Sequence, residues 1–224
     1  MIDKVWPSAE AAVTDVPDGA TILFGGFGGA GIPKHLIHAL IHHGARNLTG
    51  VSNNWGVTDP LLTQLLHSRQ MRKIIASYPT GEKGNVFWDK HAAGEFDLEV
   101  VPQGTLAERF RAAGAGLGGF YTPTGVGTEL ADGKEMRIID GCAYLLEAPL
   151  RGDFAFVRAH KADRWGNLVY RKSGRNFNPL MAMAARVTIA EVDEVVPLGA
   201  LEPEAVVTPG VFVQRVVVRR AADA

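Results

Sequence analysis

The stretch Ala20-Thr21-Ile22-Leu23-Phe24-Gly25-Gly26-Phe27-Gly28-Gly29-Ala30-Gly31-Ile32-Pro33 decides the fold. Its first five residues form a short apolar, β-rich run of the length a buried strand needs. Residues 25–31 include five glycines and cannot continue that strand; they form a loop. Pro33 suits the first turn of a helix, where its missing N–H would have no partner. The helix then places Leu36, Ile37, Leu40 and Ile41 on one face and stops at Gly44.

The same unit recurs on the C-terminal side. Leu48 to Ser52 reads as a second strand, and Asp59-Pro60 as the cap and first-turn proline of a helix through Leu61, Leu62, Leu65 and Leu66. Lys73 to Tyr78 is a third strand, Asp97 to Val101 a fourth, and Thr105 to Ala113 the helix after it, stopped at Gly114. Strand–helix alternation of this kind predicts an α/β fold, a mostly parallel sheet with helices on both faces and an open crevice at the strand ends. Residues 114–128 carry six glycines and a proline, so they read either as a flexible linker or, given Leu117, Phe120 and Tyr121, as an ordered packed loop. Further on, Met136–Asp140, Ala143–Leu146, Asp153–His160, Val187–Val192 and Val211–Val218 read as strands. Arg164-Trp165-Gly166-Asn167 is a hairpin turn into Leu168–Arg171, and Pro179–Arg186 is a short helix. The last strand is apolar on both faces, which predicts burial or cover by a partner chain. No repeat or clean linker divides the chain, and residues 1–224 are expected to form one domain.

Composition narrows the function. A net charge of −1 leaves no basic stripe for nucleic acid, and Arg219-Arg220 reads as a solvated tail. The single cysteine, Cys142, cannot form an internal disulfide and reads as a small buried residue rather than a nucleophile. The first residues lack a signal-peptide core, and no apolar run approaches a membrane span of ~20 residues. A cytoplasmic protein is expected.

In a doubly wound sheet ligands bind beyond the carboxyl ends of the strands. Here those ends carry Gly25 to Gly31, then Asn53-Asn54-Trp55-Gly56, Pro79-Thr80-Gly81 and Pro102-Gln103-Gly104. The polar groups are amides, which donate hydrogen bonds without titrating and can hold carboxylate oxygens or an oxyanion, but supply neither nucleophile nor base. The spacing Gly26-x-Gly28-x-x-Gly31 is that of a dinucleotide site, with a helix N-terminus that attracts phosphate. The acidic residue that such a site needs is absent, since Ser52-Asn53-Asn54 stands there, and a nicotinamide cofactor is disfavoured. A tight strand–helix turn without a ligand is the alternative. His38 and His42, four apart on a helix, read as a solvated face rather than metal ligands. Arg171, Lys172 and Arg175, near Asn176 and Asn178, read as surface charge, with contact to an acidic substrate or a CoA phosphate as the other possibility.

Beyond these residues a resemblance enters. Asp18 to Pro33 is similar to the first signature of the family I CoA-transferases. Val51-Ser52-Asn53-Asn54, Pro102 to Arg109, Phe120 to Gly125 and Arg171 to Phe177 resemble the same family, in the same order. The resemblance covers nearly the whole chain and is to the A (alpha) subunit. The short passage from Gly133-Lys134-Glu135 through Ile139-Asp140-Gly141 to Tyr144-Leu145-Leu146-Glu147, together with Lys161–Asn167 and Pro209–Val217, is similar to those members whose acceptor is 3-oxoadipate; acetoacetate is the alternative.

The resemblance implies CoA transfer from succinyl-CoA to a 3-oxoacid through a glutamyl-CoA thioester. The glutamate belongs to a B subunit, so Glu108, Glu129 and Glu147 are given structural or surface roles, and an A2B2 assembly is expected. It further implies that Asn53, Asn54 and Gln103 face the partner's glutamate and the substrate, and that Gly25, Gly26, Phe27, Gly28, Gly29, Ala30 and Gly31 lie along CoA. Coenzyme A is then a substrate, and no permanently bound cofactor and no metal are expected. The chain departs from many relatives at residues 28–30, Gly-Gly-Ala, where they carry bulkier residues. A sensor of nucleotides or sugar phosphates on a related fold, and a subunit with only a scaffolding role, are the rival readings.

Overall fold

The computed structural model describes residues 2–56, 60–80 and 86–219. In chain order the elements are α1 (Ala9–Ala12), β1 (Thr21–Phe24), α2 (Lys34–His43), β2 (Leu48–Gly56), α3 (Pro60–His67), β3 (Met71–Thr80), α4 (Val86–Ala92), β4 (Asp97–Val100), α5 (Gln103–Gly114), β5 (Phe120–Thr122), β6 (Met136–Ile139), β7 (Cys142–Glu147), β8 (Gly152–Asp163), β9 (Leu168–Val169), α6 (Asn178–Ala184), β10 (Ala185–Val196) and β11 (Arg215–Val218).

The main sheet runs β11-β10-β8-β1-β2-β3-β4, with every neighbouring pair parallel. Short β9 folds back antiparallel on β8. From β1 the chain winds outward through β2, β3 and β4, then returns to add β8 on the other side of β1. The boundary between β1 and β8 is therefore the point where the winding reverses, the usual place for a ligand crevice in such sheets. A separate three-stranded antiparallel sheet, β5-β7-β6, is built from the middle of the glycine-rich region and from residues 136–147.

Alternation along the strands sends side chains to both faces, which explains why the strands read as nearly continuous apolar runs. On one face Ile22, Phe24, Leu48, Ile74 and Phe154 pack with Leu36, Leu40, Leu65 and Phe87 of α2, α3 and α4. On the other face Leu23, Val51, Ile75, Ala155 and Val157 pack with Leu106, Phe110 and Met181 of α5 and α6. The first face is pinned by Phe24, which meets Trp55 and Phe156 edge-on at centroid distances of 6.0 and 5.8 Å. Edge-to-face geometry adds about 0.5–1.5 kcal/mol per pair beyond area burial.

The expected α/β architecture with helices on both faces is present. Several details differ from the sequence reading. Strands β2 and β3 run past Ser52 and Tyr78, because Asn54, Trp55 and Gly56 pair with Tyr78, Pro79 and Thr80. Helix α4 falls in a stretch for which the pattern predicted nothing. Val211–Val218 is not one strand: residues Gly210–Phe212 form a 3-10 turn and only Arg215–Val218 pairs with β10. Its outer edge is met by this chain's own Lys4 and Trp6, through Val216 N–H to Lys4 O at 2.7 Å and Trp6 N–H to Val216 O at 2.8 Å. Cys142 is exposed at the start of β7, not buried. The glycine-rich 114–128 region is ordered, with Phe120–Thr122 paired to β7. Asp59, Gly81 and Arg220 lie outside the described residues.

Candidate active site

The carboxyl ends of β1 and β2 and the start of α5 converge on one crevice edge. Asn53 is drawn into β2 by pairing and is 1% exposed, while Gln103 occupies the first turn of α5, just after the Pro102 cap. Gln103 Nε2 donates to Asn53 Oδ1 at 2.9 Å. Asn53 Nδ2 donates to Asn54 Oδ1 at 2.6 Å, and the Gly28 N–H donates to the same oxygen at 3.2 Å. The three amides predicted from strand ends are thus one hydrogen-bonded chain that ends on the glycine loop. Buried Asn53 is partly satisfied on both sides, by Gln103 and by Asn54, so its amide holds a fixed orientation instead of rotating with solvent. Gln103 is exposed, and its amide keeps a second N–H and an acceptor oxygen. Such an array can hold a carboxylate and donate to an oxyanion; it contains no titrating group.

The glycine loop divides into two kinds of position. A Cβ at Gly25 would lie 1.9 Å from Asn178 Oδ1, and one at Gly31, whose φ is +70°, would lie 2.5 Å from Gly174 O. These glycines are required by packing against residues 173–178. Asn176 Nδ2 donates to Ala30 O at 3.0 Å and Asn178 Nδ2 to Gly31 O at 3.0 Å, while Phe27 stacks on Phe177. The tip, Phe27-Gly28-Gly29, is exposed. Both sequence readings of this loop therefore apply, a tight packed turn at its feet and an open surface at its tip.

The structure also brings in residues that the sequence reading did not select. Glu191 on β10 is 1% exposed and lies at the N-terminus of α2, where it accepts from the His35 N–H at 2.8 Å and the Leu36 N–H at 3.3 Å. Pro33 proves to be the N-cap and offers no side-chain acceptor, so this carboxylate from 156 residues away does the capping. A phosphate drawn to this helix end would meet Glu191 already in place. His35 Nδ1 and Arg158 Nη1 lie 3.1 and 3.7 Å from Glu191 Oε1. Arg158 Nη2 also contacts Asp193 Oδ1 at 2.7 Å, and His160 Nδ1 contacts Asp193 Oδ2 at 3.1 Å. Burial pushes the Asp193 carboxyl up, but the hydrogen bonds and charges of Arg158 and His160 outweigh it and hold the group below the usual carboxylate range. The signal was present in the sequence as a lone charge inside the apolar run Ile189-Ala190-Glu191-Val192, a position where an acid needs a specific partner.

The remaining candidates sit apart from this edge. Glu108 pairs with Arg111 on the surface, Glu129 lies in a 3-10 turn, and Glu147 is buried against Lys134 Nζ at 2.5 Å. His42 Nδ1 bonds His38 O at 2.8 Å, and the two rings stack on the exposed side of α2.

A parallel sheet with a glycine loop at its winding reversal and an amide array on its strand ends defines an α/β fold with an open strand-end crevice. Residues 7–219 match the family described as Coenzyme A transferase, and the chain belongs to that family. It is 56% identical to the A subunit of 3-oxoadipate CoA-transferase from Pseudomonas putida, over 97% of this chain and 94% of that one. It is 57% identical to the same subunit from Acinetobacter baylyi, over 97% and 95%. The A subunit of a probable succinyl-CoA:3-ketoacid coenzyme A transferase from Bacillus subtilis is 51% identical over 96% and 89%. Among solved structures, glutaconate coenzyme A-transferase of Acidaminococcus fermentans superposes with a TM-score of 0.84 at 20% identity, covering 96% of this chain and 75% of that one. An acyl-CoA transferase of E. coli O157:H7 superposes at 0.83 with 24% identity, covering 97% of this chain and 47% of that one. The chain is accordingly a CoA-transferase subunit.

Proposed function

We propose that this chain is the amide-bearing half of a two-subunit enzyme that moves CoA from succinyl-CoA to 3-oxoadipate. The observation that carries the reading is the Gln103–Asn53–Asn54 chain ending on the Gly28 N–H, in a chain 56–57% identical to two subunits described as acting on that acid.

In this reading a glutamate of the partner subunit attacks the thioester carbonyl of succinyl-CoA. The carbonyl becomes a tetrahedral oxyanion, and Gln103 is placed to donate to it from a frame fixed by Asn53. Collapse expels the CoA thiolate and leaves a mixed anhydride. The thiolate then attacks the glutamyl carbonyl, releasing succinate and forming the glutamyl-CoA thioester. The 3-oxoacid reverses these steps and leaves as its CoA ester. Preorganised amide donors favour the charge that develops in each tetrahedral state, and they need no proton of their own. The exposed tip Phe27-Gly28-Gly29 lies along CoA. Residues 1–224 act as one unit within a cytoplasmic A2B2 assembly, with CoA entering only as substrate.

Acetoacetate is the second reading, favoured by the 51% identity to a subunit described for 3-ketoacids in general. The test is to co-express the chain with its partner, add succinyl-CoA, and measure transfer to each acid. Faster transfer to 3-oxoadipate, with the mass of the partner subunit raised by CoA, supports the proposal. Equal or better transfer to acetoacetate replaces the acceptor, and absence of any transfer removes the reading.

A further inference from the structure

The glycine loop has a second flank. Across β1 from the amide chain, beside β8 and β10, lies a cavity of about 310 Å³ whose walls include Gly31, Arg158, His160, Arg171, Lys172 and Asp193. Arg158, Arg171 and Lys172 stand against Asp193 in the lining, with the buried Glu191 carboxylate 3.7 Å behind Arg158 Nη1. The Asp193 carboxylate is already engaged, because Arg158, His160 and Arg219 Nη1 at 3.6 Å all surround it. Arg158 Nη1 is buried and, among the described residues, has no hydrogen-bond acceptor; Glu191 at 3.7 Å is too distant to serve. The side chains of Arg171 and Lys172 likewise make no ion pair or hydrogen bond among the described residues, and both are exposed. Lys172 holds φ at +51°, an unfavourable backbone conformation for a lysine. Such conformations gather at ligand sites because the surrounding structure has to enforce them. Here the enforcing contacts are Asn176 and Asn178, which tie the Lys172–Arg175 turn to the glycine loop.

The cavity is therefore cationic, has one unfilled donor in its wall and shares the glycine loop with the amide array. Its volume exceeds what a single carboxylate occupies. The helix N-terminus that would otherwise take a phosphate is already filled by Glu191.

We propose that this cavity receives the phosphorylated nucleotide end of CoA, with Arg158, Arg171 and Lys172 meeting phosphate oxygens while the thioester end crosses the loop tip toward Gln103. The inference rests on the CoA-transferase reading and adds the part of the substrate that this chain holds.

The test uses the complex of this chain with its partner subunit, carrying Arg171→Ala and Lys172→Ala together. Both side chains are exposed, so the variant is expected to assemble as the parent does. The KM for succinyl-CoA is expected to rise tenfold or more, the loss expected of a charge-assisted contact. The KM for the 3-oxoacid and kcat should stay within about twofold. Adenosine 3′,5′-bisphosphate should inhibit the parent competitively against succinyl-CoA and the variant far more weakly. Succinyl-dephospho-CoA assigns the phosphate: a penalty that disappears with it points to the 3′-phosphate, and one that persists points to the pyrophosphate. An unchanged KM for succinyl-CoA overturns the proposal. So does a rise confined to the 3-oxoacid, which would make the cavity a carboxylate site. If the parent complex transfers no CoA, the functional reading fails by itself. Calorimetric binding of adenosine 3′,5′-bisphosphate to parent and variant then decides the cavity alone.

Discussion

Gln103 carries the reading at the scale of single residues, because it is the exposed end of a chain whose other members are fixed. Gln103→Ala in the assembled enzyme is expected to lower kcat by about 10²–10³, the usual cost of losing one oxyanion donor. Its melting temperature should fall only slightly, since the exposed Gln103 side chain contributes one bond and water can reach the Asn53 oxygen that it leaves. A rate within threefold of the parent would assign the amides to scaffolding. Glu191 is the opposite case: buried, remote from the chemistry, and holding two backbone N–H groups with His35 and Arg158 beside it. Glu191→Ala should cost about 3–5 kcal/mol in urea unfolding, the range for breaking one side of a buried charge pair. Glu191→Gln, which keeps an acceptor for the α2 N–H groups, should cost clearly less.

At the scale of elements, the glycine loop separates what packing requires from what a ligand requires. Gly25→Ala drives a methyl into Asn178 and should yield little folded protein. At Gly28, whose φ is +55°, no atom lies within 4 Å of an added Cβ, so Gly28→Ala should fold with a strain cost of about 1–2 kcal/mol. A folded Gly28→Ala complex with a raised KM for succinyl-CoA would place CoA on the tip; an unchanged KM would leave the tip without that contact.

Sequence patterns revealed elements whose cause is local. β1, α2 with its αL stop at Gly44, and α5 follow from apolar periodicity and glycine punctuation. They did not reveal elements whose cause is distant. Asn53, Asn54 and Gly56 are poor strand formers, yet parallel pairing with β3 extends β2 through them. The run from Val211 is apolar enough for a strand, but the chain approaches so closely at Gly210 that a Cβ there would sit 2.3 Å from Trp165 O. It turns instead, leaving Val211 75% exposed. At the site, the amides could be read because strand ends in a parallel sheet share one edge. The Glu191–Arg158–Asp193 group could not be assembled, because its partners on α2, β8 and β10 meet only in three dimensions.

At the scale of the whole molecule, the edge of the sheet at β11 is fastened by residues from the N-terminal segment. Arg215 makes two contacts of 2.6 Å with the Asp15 carboxylate and lies 4.8 Å over the Trp6 ring. The hydrogen bond from Arg215 is the largest influence on Asp15 and lowers its pKa below the ordinary 3.8. A depressed carboxylate stabilises the fold above its unfolded pKa, and that contribution fades as pH falls through the lower folded value. Asp15→Asn should therefore be less stable than the parent at pH 7, and the difference should shrink steadily below about pH 3.8 in denaturant titrations across pH. A gap that stays constant with pH would assign the contact a purely steric role.

Lys4 and Trp6 bond to Val216, so the sheet is finished only when segments made far apart in time come together. At translation rates of about 5–20 residues per second, the early segment waits roughly 10 to 40 s for its counterpart. Throughout that interval Trp6 has no ring stack and Lys4 no strand beside it. A nascent chain stalled before residue 215 should therefore present its N-terminal segment to proteases and chaperones, and protection of that segment should mark the moment when synthesis has passed β11.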